Sequence, residues 1–219
     1  MKSIMKKISK VAVVGGTGKS GRYLIDHLLA QGISSKVLVR NPQRFQIKSP
    51  IVEVVVGDVA DYETIRILTQ DCQAVLSTLG SGRPPSAPTI FSTATANIIR
   101  AMQQVWDTRR YVVLTGLQVN TPDDNKGNQT QTATDWMYAN YPTSTADRQQ
   151  EYQLLANSDI DWTLVRLPMI EQTEARGKIA VSLQDCPGNK ISATDLARFL
   201  VGQLTDATYY KKAPFIANV

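Results

Sequence analysis

Histidine is nearly absent from this chain of 219 residues, which carries one, His27. A single imidazole cannot build a His-rich metal site, and His27 reads as a partly exposed helix residue. Cysteine is almost as scarce. Cys72 and Cys186 stand far apart without a CxxC pair or a zinc-ligand spacing, so both read as reduced thiols in a reducing, cytoplasmic compartment. No window approaches the roughly 18–20 apolar residues of a membrane span, which points away from a membrane. The formal charge is +5, but its basic residues are dispersed. Neither an aromatic-basic platform nor a helix-turn-helix pattern accompanies them, which points away from nucleic acid. Residues 1–10 are basic with scattered apolar positions, and read as a flexible leader rather than a signal peptide. Residues 11–219 then form one domain, since no linker, repeat or low-complexity tract divides them.

The most informative stretch runs from Val11 to Arg22. Val11, Ala12, Val13 and Val14 read as a buried strand, and Tyr23 to Leu29 has helical apolar spacing. Between them stand Gly15, Gly18 and Gly21, at three-residue spacing. A strand that turns through glycines into a helix presents backbone N–H groups at the helix start, where the macrodipole also favours negative charge. Glycines let a pyrophosphate lie directly against that backbone, so this is the pattern of a dinucleotide site. Gly18-Lys19-Ser20 looks like the end of a nucleoside-triphosphate P-loop. That motif needs a glycine where this chain has Val13, so the P-loop is rejected.

The second strand, Lys36 to Val39, bears on which dinucleotide binds. Its tip is Arg40, with Arg44 following, where an NAD site usually carries Asp or Glu for the ribose 2′-hydroxyl. Guanidiniums remove the repulsion against a 2′-phosphate and offer it forked donors. NADP(H) is therefore expected over NAD(H), against the alternative of solvated surface arginines.

Further along, strand-like runs alternate with helical stretches: strands near Ile51–Val56, Ala74–Ser77, Tyr111–Leu114, Trp162–Val165, Lys178–Val181 and Pro214–Ala217. Helices are expected at Tyr62–Thr69, Thr89–Val105, Thr145–Asn157 and after Ser192, where Ser192 and Asp195 resemble a capping box. The alternation predicts an α/β fold with a doubly wound parallel sheet, a Rossmann fold. Ligands of such sheets bind at the carboxyl ends of the strands, where strand order reverses. That rule selects the glycine turn, Arg40, Asp58 and Val59, Leu79 and Gly80, Thr115 to Leu117, and Pro168-Met169-Ile170. Asp58 either bonds an adenine or starts the next helix. Leu79-Gly80 suits close backbone approach or is a plain turn, and Thr115 either supplies a hydroxyl or is structural. Pro168 to Ile170 offers an apolar wall for a nicotinamide, or ordinary strand-end packing.

Residues 118–141 are polar and too long for an ordinary connection, and read as a lid. Trp136, Tyr138 and Tyr141 in it, with Leu117 before it, suit a planar acceptor, or they anchor an insertion to the body. Arg148, on the following helix, faces either the cleft or solvent, with solvent the expectation.

The combination GGTGKSG, then VLVRNPQR, then VVVGDV resembles the atypical short-chain dehydrogenase/reductases. Within them the likeness is to NAD(P)H-binding proteins of the flavin reductase/biliverdin reductase B type, with NmrA-like proteins more distant. Ser77-Thr78-Leu79-Gly80, Ser158 to Thr163 and Ile191 to Ala197 fit as well, so the resemblance covers nearly the whole chain from Val11. It implies NADP(H) held by Gly15, Thr17, Gly18, Lys19, Ser20, Gly21, Arg40 and Arg44. Asp58 and Val59 would lie at the adenine, Leu79 and Gly80 near the ribose, and Thr115 with Pro168, Met169 and Ile170 around the nicotinamide.

This chain departs from standard short-chain dehydrogenases, whose Tyr-x-x-x-Lys pair shuttles a proton. Tyr138 meets Pro142, Tyr141 meets Thr145, and Tyr152 meets Ala156, and no other tyrosine has the lysine either. Hydride transfer to a flavin, quinone or similar conjugated acceptor survives that loss best, since its proton can come from water. Thr115 is the one candidate catalytic side chain. The alternative is a sensor or assembly protein of NmrA-like type that binds NADP(H) without turnover.

Overall fold

The computed structural model describes residues 8–81, 87–104 and 109–219. Val105, at the end of one expected helix, lies outside that set, as do residues 1–7 of the expected leader. The rest of the leader is fixed. The Gln73 side chain accepts from the backbone N–H groups of Ser9 and Lys10, and Lys10 already belongs to the first strand.

The chain opens with β1 (Lys10–Val14), α1 (Lys19–Ala30), β2 (Ser34–Val39), a short 3-10 turn at Pro42–Arg44, and β3 (Val52–Val56). It continues through α2 (Tyr62–Thr69), β4 (Ala74–Ser77), α3 (Ile90–Gln104) and β5 (Arg110–Gly116). Then come α4 (Asn128–Asn140), α5 (Pro142–Ala156), β6 (Asp161–Leu167) and β7 (Met169–Glu171). Finally there are β8 (Ile179–Ser182), β9 (Lys190–Ser192), α6 (Ala193–Gly202) and β10 (Phe215–Asn218).

Eight strands form one sheet in the order β3-β2-β1-β4-β5-β6-β10-β8. Its pairs are parallel except β10 with β8, which is antiparallel, and β7 pairs with β9 in a separate small parallel sheet. From β1 the chain winds outward to β3, then returns to β4 and winds the other way. The crevice of a doubly wound sheet therefore opens between β1 and β4, above their carboxyl ends.

Both faces of the sheet are covered, which is why its central strands read as unbroken apolar runs. Alternation splits β1 between two cores. Ala12 and Val14 pack with Ile65 of α2, Ile98 of α3 and Leu155 of α5. Val11 and Val13 pack with Leu24 and Leu28 of α1 and Leu196 and Leu200 of α6. Two caps fix helix starts locally. Asp61 accepts from the N–H groups of Glu63 and Thr64 at 3.2 Å each, and Ser192 Oγ accepts from Asp195 N at 3.0 Å. The second half of the expected capping box is absent. Asn218 Oδ1, not the Asp195 carboxylate, accepts from Ser192 N at 2.7 Å, and Asp195 is turned to Asn218 Nδ2 and Gly177 N.

The polar segment 118–141 is an ordered loop followed by helix α4, which the sequence pattern misses. Lys126 ties the loop together: its ammonium donates to the carbonyls of Leu117 (2.8 Å) and Val119 (3.3 Å) and to Asn120 Oδ1 (2.7 Å). Burial pulls its pKa down to about 8, against the opposing pull of Asp124. From below, Arg166 of β6 is fully buried, reaches Asp124 Oδ1 at 2.6 Å and stacks on Phe215.

Candidate functional site

A cleft of about 610 Å³ lies over the crevice. The glycine turn forms its centre. Gly15 has φ +79°, and a Cβ there would meet the Thr78 carbonyl carbon at 2.6 Å. The turn therefore presses directly on the tip of β4, and the Thr78 hydroxyl donates to Val14 O (3.3 Å) and Gly15 O (3.2 Å). Gly21 is needed for a different reason: a Cβ would stand 2.1 Å from Gly15 O, inside the turn. Gly18 caps α1 with no side-chain bond, and that helix has no acidic residue in its first turn. No carboxylate of that first turn competes for its dipole and first N–H groups, which favours an anion there.

To one side of the turn the cleft is lined by Leu38 and Arg40 of the β2 end, and by Asp58 and Val59 after β3. Asp58 turns its Oδ1 to Ala60 N at 2.8 Å, an Asx turn, and Asn97 Nδ2 donates to Val59 O at 3.1 Å. Arg44 sits in the 3-10 turn, is exposed and is not among the lining residues. Thr17, Lys19 and Ser20 line the centre with Gly15 and Gly18, whereas Gly21 lies behind, supporting the turn.

On the other side stand Leu79 and Gly80 after β4, Leu114, Thr115 and Gly116 of β5, and Leu167, Pro168 and Ile170 from the β6 end. The register sets Thr115 beside Arg166 and Gly116 beside Leu167, so these strand ends converge on one place. Thr115 is 4% exposed and its hydroxyl has no hydrogen-bond partner among the described residues. Buried hydroxyls are nearly always partnered, and this unpartnered one belongs to a residue of the cleft wall. Met169 lies 67% exposed between Pro168 and Ile170 and does not line the cleft.

The aromatic trio is elsewhere. Trp136, Tyr138 and Tyr141 are exposed and are not among the lining residues. Trp136 meets Tyr141 edge-on at 5.6 Å, and Asn120 Nδ2 lies 3.4 Å from the Tyr138 hydroxyl, so the trio dresses the outer side of α4. Leu117 is also off the cleft wall, its carbonyl taken by Lys126 and Thr134. Cys72 and Cys186 are unbridged, and burial pushes the Cys72 thiol up to about 11.

Arg148 corrects the expectation of solvent exposure. It is 8% exposed and lines the cleft. Its Nη1 donates to Leu114 O (2.9 Å) and Glu151 Oε2 (2.7 Å), its Nη2 donates to Leu79 O (2.7 Å), and it lies over the Phe91 ring. Burial pushes the Glu151 carboxyl up, while Arg148 and Thr95 work against that shift. One signal for this was in the sequence. Thr145, Arg148, Glu151 and Leu155 recur at helical spacing and are all buried, so the inner stripe of α5 is mostly polar.

A strand, a glycine turn and a helix at the reversal of a doubly wound sheet define a dinucleotide-binding protein of the Rossmann type. A family model described as NAD(P)H-binding matches residues 15–207, and the chain belongs to that family. An isoflavone reductase homolog from Nicotiana tabacum is 26% identical over 118 residues, which are 50% of this chain and 36% of that protein. One from Nicotiana glauca is 28% identical over 113 residues, 48% of this chain and 34% of that protein. The matches thus take in about a third of the length of these curated relatives. Solved structures match over nearly the whole chain. A short-chain dehydrogenase/reductase from Veillonella parvula in complex with NADP has TM-score 0.77 and 14% identity, covering 97% of this chain and 95% of that one. An oxidoreductase from Lactococcus lactis has TM-score 0.75 and 17% identity, covering 96% and 91%. At such identities the likeness is one of fold.

Proposed function

We propose that the protein is an NADPH-dependent oxidoreductase that passes hydride to a flavin, quinone or similar conjugated acceptor. The observation that carries this reading is the end of the cleft beyond β4. There the orphan Thr115 hydroxyl stands among Leu114, Leu167, Pro168 and Ile170, with no tyrosine among the described lining residues. Bound NADPH would supply the hydride. The chain's own part is to hold the pyrophosphate on the first turn of α1, the 2′-phosphate at Arg40, and the nicotinamide between Thr115 and the Pro168–Ile170 wall. The apolar wall excludes water from one face of the ring and leaves the other for a planar acceptor. Thr115 offers a hydrogen bond at this end, and the proton that completes reduction comes from solvent. Arg40 supports NADPH over NADH because it occupies the β2 tip, where a carboxylate would repel a 2′-phosphate.

Steady-state oxidation of NADPH against a panel of flavins, quinones and dyes tests the reading. Turnover with at least one conjugated acceptor, and a lower KM for NADPH than for NADH, is expected. Tight NADPH binding without turnover on any acceptor would replace it with the binding-only alternative.

A further inference from the structure

The polar assembly beneath the β4–β5 side of the cleft centres on Arg148. Arg148 reaches from α5 to the carbonyl of Leu79, just past β4, and to that of Leu114, inside β5. These two carbonyls belong to the neighbouring segments that form the far half of the cleft. Three acceptors engage one planar guanidinium, whose fork has a fixed geometry, so the distances between them are set together. The Leu79–Gly80 peptide is planar and trans, so anchoring its carbonyl also sets the direction of the Gly80 N–H, opposite to it.

Arg148 is itself anchored from behind. Glu151 Oε2 holds its Nη1, Glu151 Oε1 accepts from Thr95 Oγ1 at 3.0 Å, and the Tyr111 hydroxyl lies 3.1 Å from Thr95. Asp147, a neighbour on α5, accepts from the N–H groups of Phe91 (2.8 Å) and Ser92 (3.2 Å), and so fixes the start of the helix whose Phe91 ring lies against Arg148. Thr95, Glu151 and Tyr111 are buried. A buried ion pair contributes little net stability compared with an apolar replacement; here it ties Arg148 Nη1 to Glu151 at 2.7 Å.

We infer that Arg148, braced by Glu151, is a positioning residue that sets the β4 and β5 tips for the nicotinamide half of the dinucleotide and leaves the adenine half untouched. The inference rests on the cofactor reading above and names how one half of that site is held. Arg148→Lys keeps the charge but gives up the fork, so it cannot reach all three acceptors in the same geometry.

Calorimetric titration of the full chain with NADP⁺ and with adenosine 2′,5′-bisphosphate, which lacks the nicotinamide half, tests this without turnover. For Arg148→Lys, NADP⁺ binding is expected to weaken by about tenfold or more, the worth of one or two charge-assisted hydrogen bonds. Binding of the bisphosphate should stay within about twofold of wild type. Unchanged affinity for both ligands, or an equal loss of both, overturns the inference. If Arg148→Lys does not fold, Glu151→Gln removes the charge and leaves one carbonyl oxygen to accept from Arg148, its amide nitrogen now donating to Thr95 Oγ1, and must show the same split in smaller measure. Equal behaviour toward the two ligands there overturns it as well. Failure of the wild type to bind either ligand would instead overturn the cofactor reading beneath it.

Discussion

The two halves of the sheet are held in shape by different means. Around β1, β2 and β3 the cleft is made by backbone: a glycine turn pressed against β4, short strands, and an arginine and an Asx turn at strand ends. Around β5 and β6 a largely apolar wall is backed by buried charge. Arg148 bonds carbonyls 34 and 69 positions away in sequence, and Arg166 bonds partners 42 and 47 positions away. A site built from local backbone can be moved between proteins as a short motif. One built from the long-range bonds of buried arginines exists only when the whole fold has closed around it, and is as sensitive as those bonds.

That contrast can be broken, beginning with the largest effect. Arg166→Met takes the 2.6 Å guanidinium from Asp124, which keeps Lys126 at 3.7 Å, and takes the arginine's donors from the Ala213 and Leu183 carbonyls, while Val119 O keeps Lys126. Removing one side of a buried pair costs about 3–5 kcal/mol, so the denaturant midpoint should fall steeply. A shift worth less than about 1 kcal/mol, the range of an exposed ion pair, would deny that buried charge holds this half together.

Gly18→Val probes the opposite half. Its Cβ would meet one atom within 4 Å, Gly15 O at 3.1 Å, and the side chain enters the cleft. The variant should melt close to wild type yet lose NADPH affinity by about a hundredfold, or roughly 2.7 kcal/mol. Gly21→Val, whose Cβ falls 2.1 Å from Gly15 O, should lose the fold of the turn itself and melt early. Retained binding by Gly18→Val would remove the glycine turn from the site.

Arg40→Ala should shrink the preference for NADPH over NADH by about tenfold, worth about 1.4 kcal/mol. Fluorescence titration with both cofactors reads it, and an unchanged ratio would take the 2′-phosphate away from Arg40. The smallest effect is local to one helix. Asp61→Ala should cost about 1 kcal/mol of stability, the usual worth of an N-cap, and leave cofactor binding alone.

The same contrast explains how much of the molecule was legible in its sequence. The glycine turn, the strands of the sheet and the β2-tip arginine are local patterns, and the strands of the large sheet lie within two residues of where the pattern places them, whereas α1 and α5 begin four and three residues before Tyr23 and Thr145. α2 and β4 fall at Tyr62–Thr69 and Ala74–Ser77, as read. What escaped was polar or very short. α4 buries only Thr130 and Thr134, so it has no apolar stripe to mark it as a helix. α5 buries Thr145, Asp147, Arg148 and Glu151, which inverts the rule that charge faces water. β7 and β9 have three residues each, too few for alternation to show. On the cleft, Arg148 was misjudged because two of its three acceptors are carbonyls, which every residue carries; the buried stripe with Glu151 was the one sign of it.

In the reading proposed above, one dinucleotide spans both halves, its 2′-phosphate on the backbone-built side and its nicotinamide on the charge-braced side. A crystal structure of the NADP⁺ complex tests it most directly. The account predicts the 2′-phosphate within hydrogen-bonding distance of Arg40, the pyrophosphate on the first turn of α1, and the nicotinamide beside Thr115 and Pro168. A nicotinamide lying outside the Thr115 end of the cleft, or a 2′-phosphate away from Arg40, would contradict it.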